Sequence, residues 1–237
     1  MNLVSDLVAR ERRSDALALR TASRAGSYSY EKLCTNAWKA GNLLRHYGVR
    51  GDATVAIAAD GSLSPPPITA CLGAGLLGAR VRFDPAESVD AKALVVPTAR
   101  VADYEPGPGT TVLAYGDVPE GTGVKHFEAE VWSENPTMPP DQVDPGADFL
   151  AGDDRSVSQE RALDAADHVA VEHGLDEESL LAPRASLGDP GVVVAAVLAP
   201  LVAGGAVLLD ESTTGSLGVG PAEAVPEERR VDPGTVL

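Results

Sequence analysis

The chain has 237 residues, enough for one large domain or two small ones with a buried core and no need of disulfide or metal staples. Lys and Arg number 19 against 35 Asp and Glu. That formal net charge of −16 argues against nucleic acid, whose binding needs clustered cations, and against electrostatic docking on anionic membranes. A hydrophobic share of 44% is too high for a wholly disordered acidic chain.

The opening residues carry Asp6, Arg10 and Glu11, so no secretory apolar core forms there, and Leu3, Leu7 and Val8 suit an amphipathic first helix. Tyr28 to Tyr30 is β-prone. From Glu31, Cys34, Ala37, Trp38, Gly41 and Leu44 recur at three- and four-residue steps. They predict a helix capped by Ser29, ending near Tyr47, with Gly48 as its C-terminal glycine. Gly51-Asp52 makes a turn into a buried strand over 54–58. Pro65-Pro66-Pro67 opens a helix that runs to Gly78, since proline is tolerated in a first turn. A strand over 80–83 closes on Asp84-Pro85, a short helix is expected near 87–92, and further strands over 93–96 and 110–114. Strands alternating with helices predict an α/β fold of mostly parallel sheets with flanking helices and right-handed crossovers.

Residues 136–147 hold Pro136, Pro139, Pro140 and Pro145 and read as a linker or long loop between a first α/β unit, 1–135, and a second, 148–212. In the second unit Phe149-Leu150 suits a short strand. Ser156 with Gln159 forms a capping-box signature ahead of a helix with the stripe Ala162, Ala165, Ala166, Val169 and Ala170. The stretch from Pro190 to Leu209 carries no charge, but Pro200 and Gly204-Gly205 interrupt it. It reads as a buried helix, a glycine turn and a strand rather than a membrane span. From Thr213 to Leu237 periodicity is lost and disorder is expected. Gly78-Ala79 and Gly205-Ala206 each precede a strand that ends in Asp, a weak echo of one βαβ unit in the other.

Cys34 and Cys71 form no CxxC, no histidine sits at ligand spacing from them, and both lie in apolar helical stretches, so buried inert thiols and no metal site are expected. His46, His126, His168 and His173 are scattered. Four lysines (Lys32, Lys39, Lys92, Lys125) stand against fifteen arginines. An acid surplus with scarce lysine suits a surface adapted to molar salt, where the Debye length is roughly 3 Å and crowded carboxylates repel little.

Tyr28-Ser-Tyr-Glu-Lys-Leu33, then Ala40-Gly-Asn-Leu-Leu44, Gly48-Val49 and Gly51-Asp-Ala-Thr-Val-Ala56, in that order, resemble the opening of the adenylate-forming (AMP-binding) superfamily, which includes acyl-CoA synthetases. The likeness continues in the Gly/Ala-rich run from Cys71 to Asp84 and in Val169 to Leu209, and so covers most of residues 1–210. The resemblance implies the N-terminal portion of that fold. In the full enzymes a carboxylate attacks ATP, and the acyl-adenylate formed passes its acyl group to a thiol.

The nucleotide motifs depart from the family. Its phosphate loop is a Ser/Thr/Gly run closed by Pro-Lys-Gly, whose small residues let backbone N–H groups approach phosphate. The matching place is Gly152, Asp153, Asp154, Arg155 and Ser156, with no lysine and with two carboxylates where a triphosphate needs positive potential. Asp153, Asp154 and Ser156 instead suit the N-terminus of the following helix, where they would satisfy its free N–H groups. No Tyr-Gly-x-Thr-Glu occurs, and Gly215 to Gly220 makes a poor phosphate loop.

Three readings stay open at this point. One is a truncated, acyl-CoA synthetase-like protein, non-catalytic alone, with no cofactor, that binds a protein partner or a small acyl or carboxylic-acid ligand in the cytoplasm. Another is a ligase completed by a second polypeptide, using ATP, Mg and CoA. The third is an α/β protein of unrelated function. No residue is expected to be catalytic or to bind metal.

Overall fold

The computed structural model describes residues 1–59, 63–153 and 155–237. The apolar spacing at the start gives α1 (Val4–Leu7), then β1 (Leu17–Arg20) and β2 (Tyr28–Ser29). Ser29 caps α2 (Tyr30–His46) by accepting the Lys32 N–H, and Gly48 follows at φ 83°, a left-handed conformation that only glycine adopts without strain. Next come β3 (Thr54–Ile57), α3 (Pro65–Gly75), β4 (Arg80–Phe83), β5 (Ser88–Val89), β6 (Ala93–Pro97), β7 (Glu105–Pro106), β8 (Thr111–Tyr115) and β9 (Val124–His126). After α4 (Phe127–Ser133), β10 (Asp148–Ala151) and β11 (Ser156–Ser158) form a hairpin into α5 (Gln159–His173). β12 (Leu180–Pro183) leads to α6 (Pro190–Val192), a π-helical stretch at Val193–Leu198, α7 (Ala199–Ala203) and β13 (Ala206–Leu208). Pro200 has no N–H to give the preceding turn, and the ladder widens just ahead of it, with Ala199 N–H bonded to Val194 O. β14 (Leu217–Val219) and β15 (Arg230–Val231) end the chain.

Two main sheets result. One has the order β11-β10-β4-β3-β6-β8-β9, the other β15-β14-β12-β13-β1-β2. Among the described residues all pairings are parallel except the β1–β2 and β10–β11 hairpins, which agrees with the predicted α/β class. β5 and β7 pair separately. α3 packs on the first sheet, and α2 crosses it so closely that a Cβ on Gly73 would stand 2.7 Å from Gly41 N. The buried Gln159 side chain joins three helices, accepting from Val4 N–H at 2.9 Å and donating to Gly75 O at 2.7 Å.

Several expectations need correction. The sheets do not divide at 136–147: Leu19 of β1 pairs with Val207, and Leu150 of β10 with Val81, so each sheet draws on both sides of the proline-rich loop. Residues 213–237 are folded, because β14 extends the open edge of β12 and buries Leu217 and Val219. Residues 87–92 hold the strand β5 rather than a helix. Ser156 lies in β11, paired with Ala151, and the α5 cap is Ser158, which accepts the Arg161 N–H. Cys34 and Cys71 are buried as expected; burial pushes the Cys34 thiol up to about 11 and the Cys71 thiol further in the same direction. Among the described residues no His/Cys/Asp/Glu cluster fits a metal ion, and no helix is long and apolar enough to cross a membrane.

Candidate functional site

Parallel strands place their following loops at one end of a sheet, and a crevice opens where successive connections leave in opposite directions. In the second sheet β13 lies on one side of β12 and β14 on the other, so the loop after β12 sits at such a point. In the first sheet β4 and β6 flank β3 in the same way. The strand ends meet at Asp84, which follows β4 at φ 47°. Its Oδ1 accepts the Ala59 N–H at 2.9 Å, and its Oδ2 accepts the Ser186 hydroxyl at 2.5 Å. A left-handed aspartate is uncommon but can be held by such bonds.

The Asp84–Ser186 contact forms a wall shared by two hollows. One, of about 510 Å³, is lined by Ala59, Leu63, Arg184, Leu187 and Glu211 among others. Arg184 belongs to its frame: Nη2 donates to Glu227 Oε1 at 2.6 Å and to Thr213 O at 2.6 Å, and Nε donates to Glu227 Oε1 at 3.1 Å. Burial raises the Glu227 pKa, but hydrogen bonds from Arg184 and the Gly215 N–H outweigh it and leave the carboxyl below its ordinary value. Glu227 stands where residue 218 must lack a side chain, since a Cβ there would lie 2.4 Å from Glu227 Oε2.

The second hollow, also of about 510 Å³, is lined by the β10–β11 turn and the start of α6. It contains the Gly152, Asp153 and Arg155 singled out by sequence; Asp154 lies outside the described residues. The Gly152 N–H donates to Arg155 O at 2.8 Å and so closes the hairpin on itself. A Cβ on Gly152 would stand 3.1 Å from Pro190 Cδ, so this glycine lets the hairpin pack against α6. Asp153 is fully exposed and pairs with Arg82 at 3.2 Å, and Arg82 also donates to Gly152 O. Arg155 donates to Leu237 O at 3.3 Å. Ser156 lies outside the hollow's lining, in β11.

The expected capping of α5 by Asp153 is therefore not what the chain does. A different acid, Asp189, caps a helix at this end, accepting the Gly191 N–H at 2.8 Å. Among the described residues, three carboxylates (Asp84, Asp153, Asp189) face two guanidinium groups that already hold protein oxygens. These residues do not fit a triphosphate, which needs free donors and net positive potential. Sequence reasoning missed Asp84, Ser186, Arg184 and Glu227. The Asp84-Pro85 strand end was its only nearby signal, because the partners lie 102 and 43 residues apart.

No protein-family model matches the chain, and no curated protein matches it by sequence. Its fold does match solved structures. The benzoate CoA ligase from Burkholderia xenovorans LB400 superposes with a TM-score of 0.76 at 16% identity, over 94% of this chain and 51% of that one. The anthranilate CoA ligase AuaEII, in complex with anthranoyl-AMP, gives 0.75 at 15% identity, over 92% and 49%. The N-terminal domain of FACL13 from Mycobacterium tuberculosis gives 0.70 at 12% identity, over 93% and 63%. The chain thus has the fold of the N-terminal portion of adenylate-forming acyl-CoA ligases and spans about half the length of the first two.

Proposed function

We propose that this chain is a non-catalytic relative of the adenylate-forming ligases, which keeps the crevice between the sheets and has given up the nucleotide. The observation that carries this reading is the Gly152 N–H···Arg155 O bond, which uses internally a donor that a phosphate cradle would turn outward. The Arg82–Asp153 pair acts in the same direction, since a carboxylate of the protein already pairs with one of the hollow's cations. The retained hollow beside Arg184 takes a small acyl or carboxylic-acid ligand; two structures of similar fold are named as ligases of benzoate and anthranilate, which makes aromatic acids the first class to try. On this reading the acid-rich, lysine-poor surface is an adaptation to molar salt, and the protein works in the cytoplasm.

The test is made in concentrated KCl. Thermal midpoints are measured with benzoate, anthranilate, Mg-ATP, AMP and CoA, together with ATP–pyrophosphate exchange over a panel of carboxylic acids. The expected result is a shift with an acid, none with Mg-ATP, and exchange at background. Exchange above background with the isolated chain overturns the reading.

A second reading rests on the chain's span of about half the matched ligases. A separate polypeptide would supply the part of those ligases that this chain does not match, and with it ATP, magnesium and CoA chemistry. It predicts a co-purifying partner whose addition restores exchange.

A further inference from the structure

Away from the crevice, a groove of about 570 Å³ runs between α2 and α4, floored by Phe127 and Val131. It holds two of the four lysines in a chain of net charge −16, Lys32 and Lys39. Neither ammonium forms an ion pair among the described residues. Lys32 Nζ lies 4.0 Å from the Tyr28 ring centroid, and Lys39 Nζ donates to Trp132 O at 2.7 Å. The carboxylates on the same rim are engaged elsewhere: Glu31 with Arg13 at 2.8 Å, and Glu128 with the Gly116 N–H at 2.9 Å and His126 at 3.3 Å. The groove's unpaired charge is therefore positive on a strongly negative protein. Trp132 stands at its edge with 81% exposure, the most exposed large apolar side chain among the described residues. An aromatic so placed is the residue type that dominates protein interfaces.

The spacing separates a macromolecule from a small acid. Lys32 and Lys39 stand seven residues apart on one helix, about 10 Å along its axis. One small carboxylate reaches one of them. A second helix laid alongside, with acids two turns apart, presents carboxylates at the matching interval and an apolar side chain between them.

We propose that the α2–α4 groove docks an acidic amphipathic helix of a partner protein, with Lys32 and Lys39 facing its carboxylates and Trp132 covered by its apolar face. This surface is independent of the crevice and of the nucleotide question. The probe is a synthetic helical peptide with Glu at two-turn spacing flanking Leu, set against a scrambled peptide of equal composition. Trp132 reports binding directly, because the other tryptophan, Trp38, is 5% exposed.

At the lowest KCl concentration that keeps the wild-type thermal midpoint, the patterned peptide is expected to shift the emission to the blue, and Lys32→Glu with Lys39→Glu to weaken it about tenfold with the thermal midpoint held. If that pair of reversals unfolds the protein, Lys32→Gln with Lys39→Gln is read instead. Trp132→Phe should remove most of the emission shift. Equal binding of the scrambled peptide, indifference to charge reversal, or no binding of the patterned peptide overturns the proposal. So does displacement of the peptide by benzoate at comparable occupancy, which would mark a small-acid pocket.

Discussion

Arg184 holds Glu227 inside the protein with two donors on one carboxylate, and the Glu227 side chain has no solvent access. The pair fastens residues 211–231 over the end of β12. Removing one partner of a buried pair strands the other charge. Glu227→Gln should therefore lower unfolding free energy by about 3–5 kcal/mol, and the double change Arg184→Met with Glu227→Leu by less than half of that. Urea melts of the three proteins check it; equal losses in both variants would refute the pairing argument.

The same carboxylate sets an acid limit. Its folded pKa lies below the unfolded value near 4.5, so its stabilising contribution is complete above pH 4.5 and is lost as the pH falls through the folded value. The stability gap between wild type and Glu227→Gln should hold constant from pH 7 to 5 and narrow below 4.5. Denaturant midpoints across that range measure it, and a gap that widens on acidification would be the opposite sign.

Asp84 is held in a left-handed conformation by two hydrogen bonds that join the strand ends. Asp84→Ala loses both acceptors and keeps the strained φ, for a cost of about 2–3 kcal/mol. Asp84→Gly loses the same bonds but relieves the backbone and should melt above the alanine variant. Asp84→Asn keeps one acceptor oxygen for the Ala59 N–H and sets an amide N–H against the Ser186 hydroxyl oxygen, so it should be the mildest of the three. Thermal melts order them.

At the α2–α3 crossing, a Cβ on Gly73 would meet backbone atoms of residues 40 and 41 that cannot move independently of the helix. Gly73→Ala should destabilise by about 1–3 kcal/mol, against the usual helical preference for alanine. Gly109→Ala serves as a contrast. Its Cβ would meet nothing within 4 Å, and its penalty comes from φ 85° alone.

The helices could be read from sequence where their signals are local. Ser29, the stripe of α2 and Gly48 lie within one continuous stretch and specify a cap, a buried face and a stop. β1 carries no such punctuation; Leu17 to Arg20 become a strand because β13 offers them an edge. Around the hairpin two serines compete, and the pairing of Ser156 with Ala151 leaves Ser158 to cap the helix. The strand at Phe149-Leu150 and the helix behind it, which flank the second hollow, were readable because they follow in chain order. The acid that caps a helix there was not, because Asp189 reaches the hollow through the fold. Arg184 and Glu227 escaped for the same reason: no spacing rule links residues brought together by adjacent strand ends.

The interleaved sheets also set an order on synthesis. Strands β3 to β9 can associate once residue 126 has left the ribosome, since each finds its neighbour within that stretch. β1 must wait for β13, 188 residues later at the Leu19–Val207 pair. Until then the β1–β2 hairpin stays an unfinished edge, and the N-terminus is locked only when β13 emerges, shortly before β14 and β15 complete the other side of the sheet. A cut at the proline-rich loop would leave two fragments, each lacking strands of both sheets.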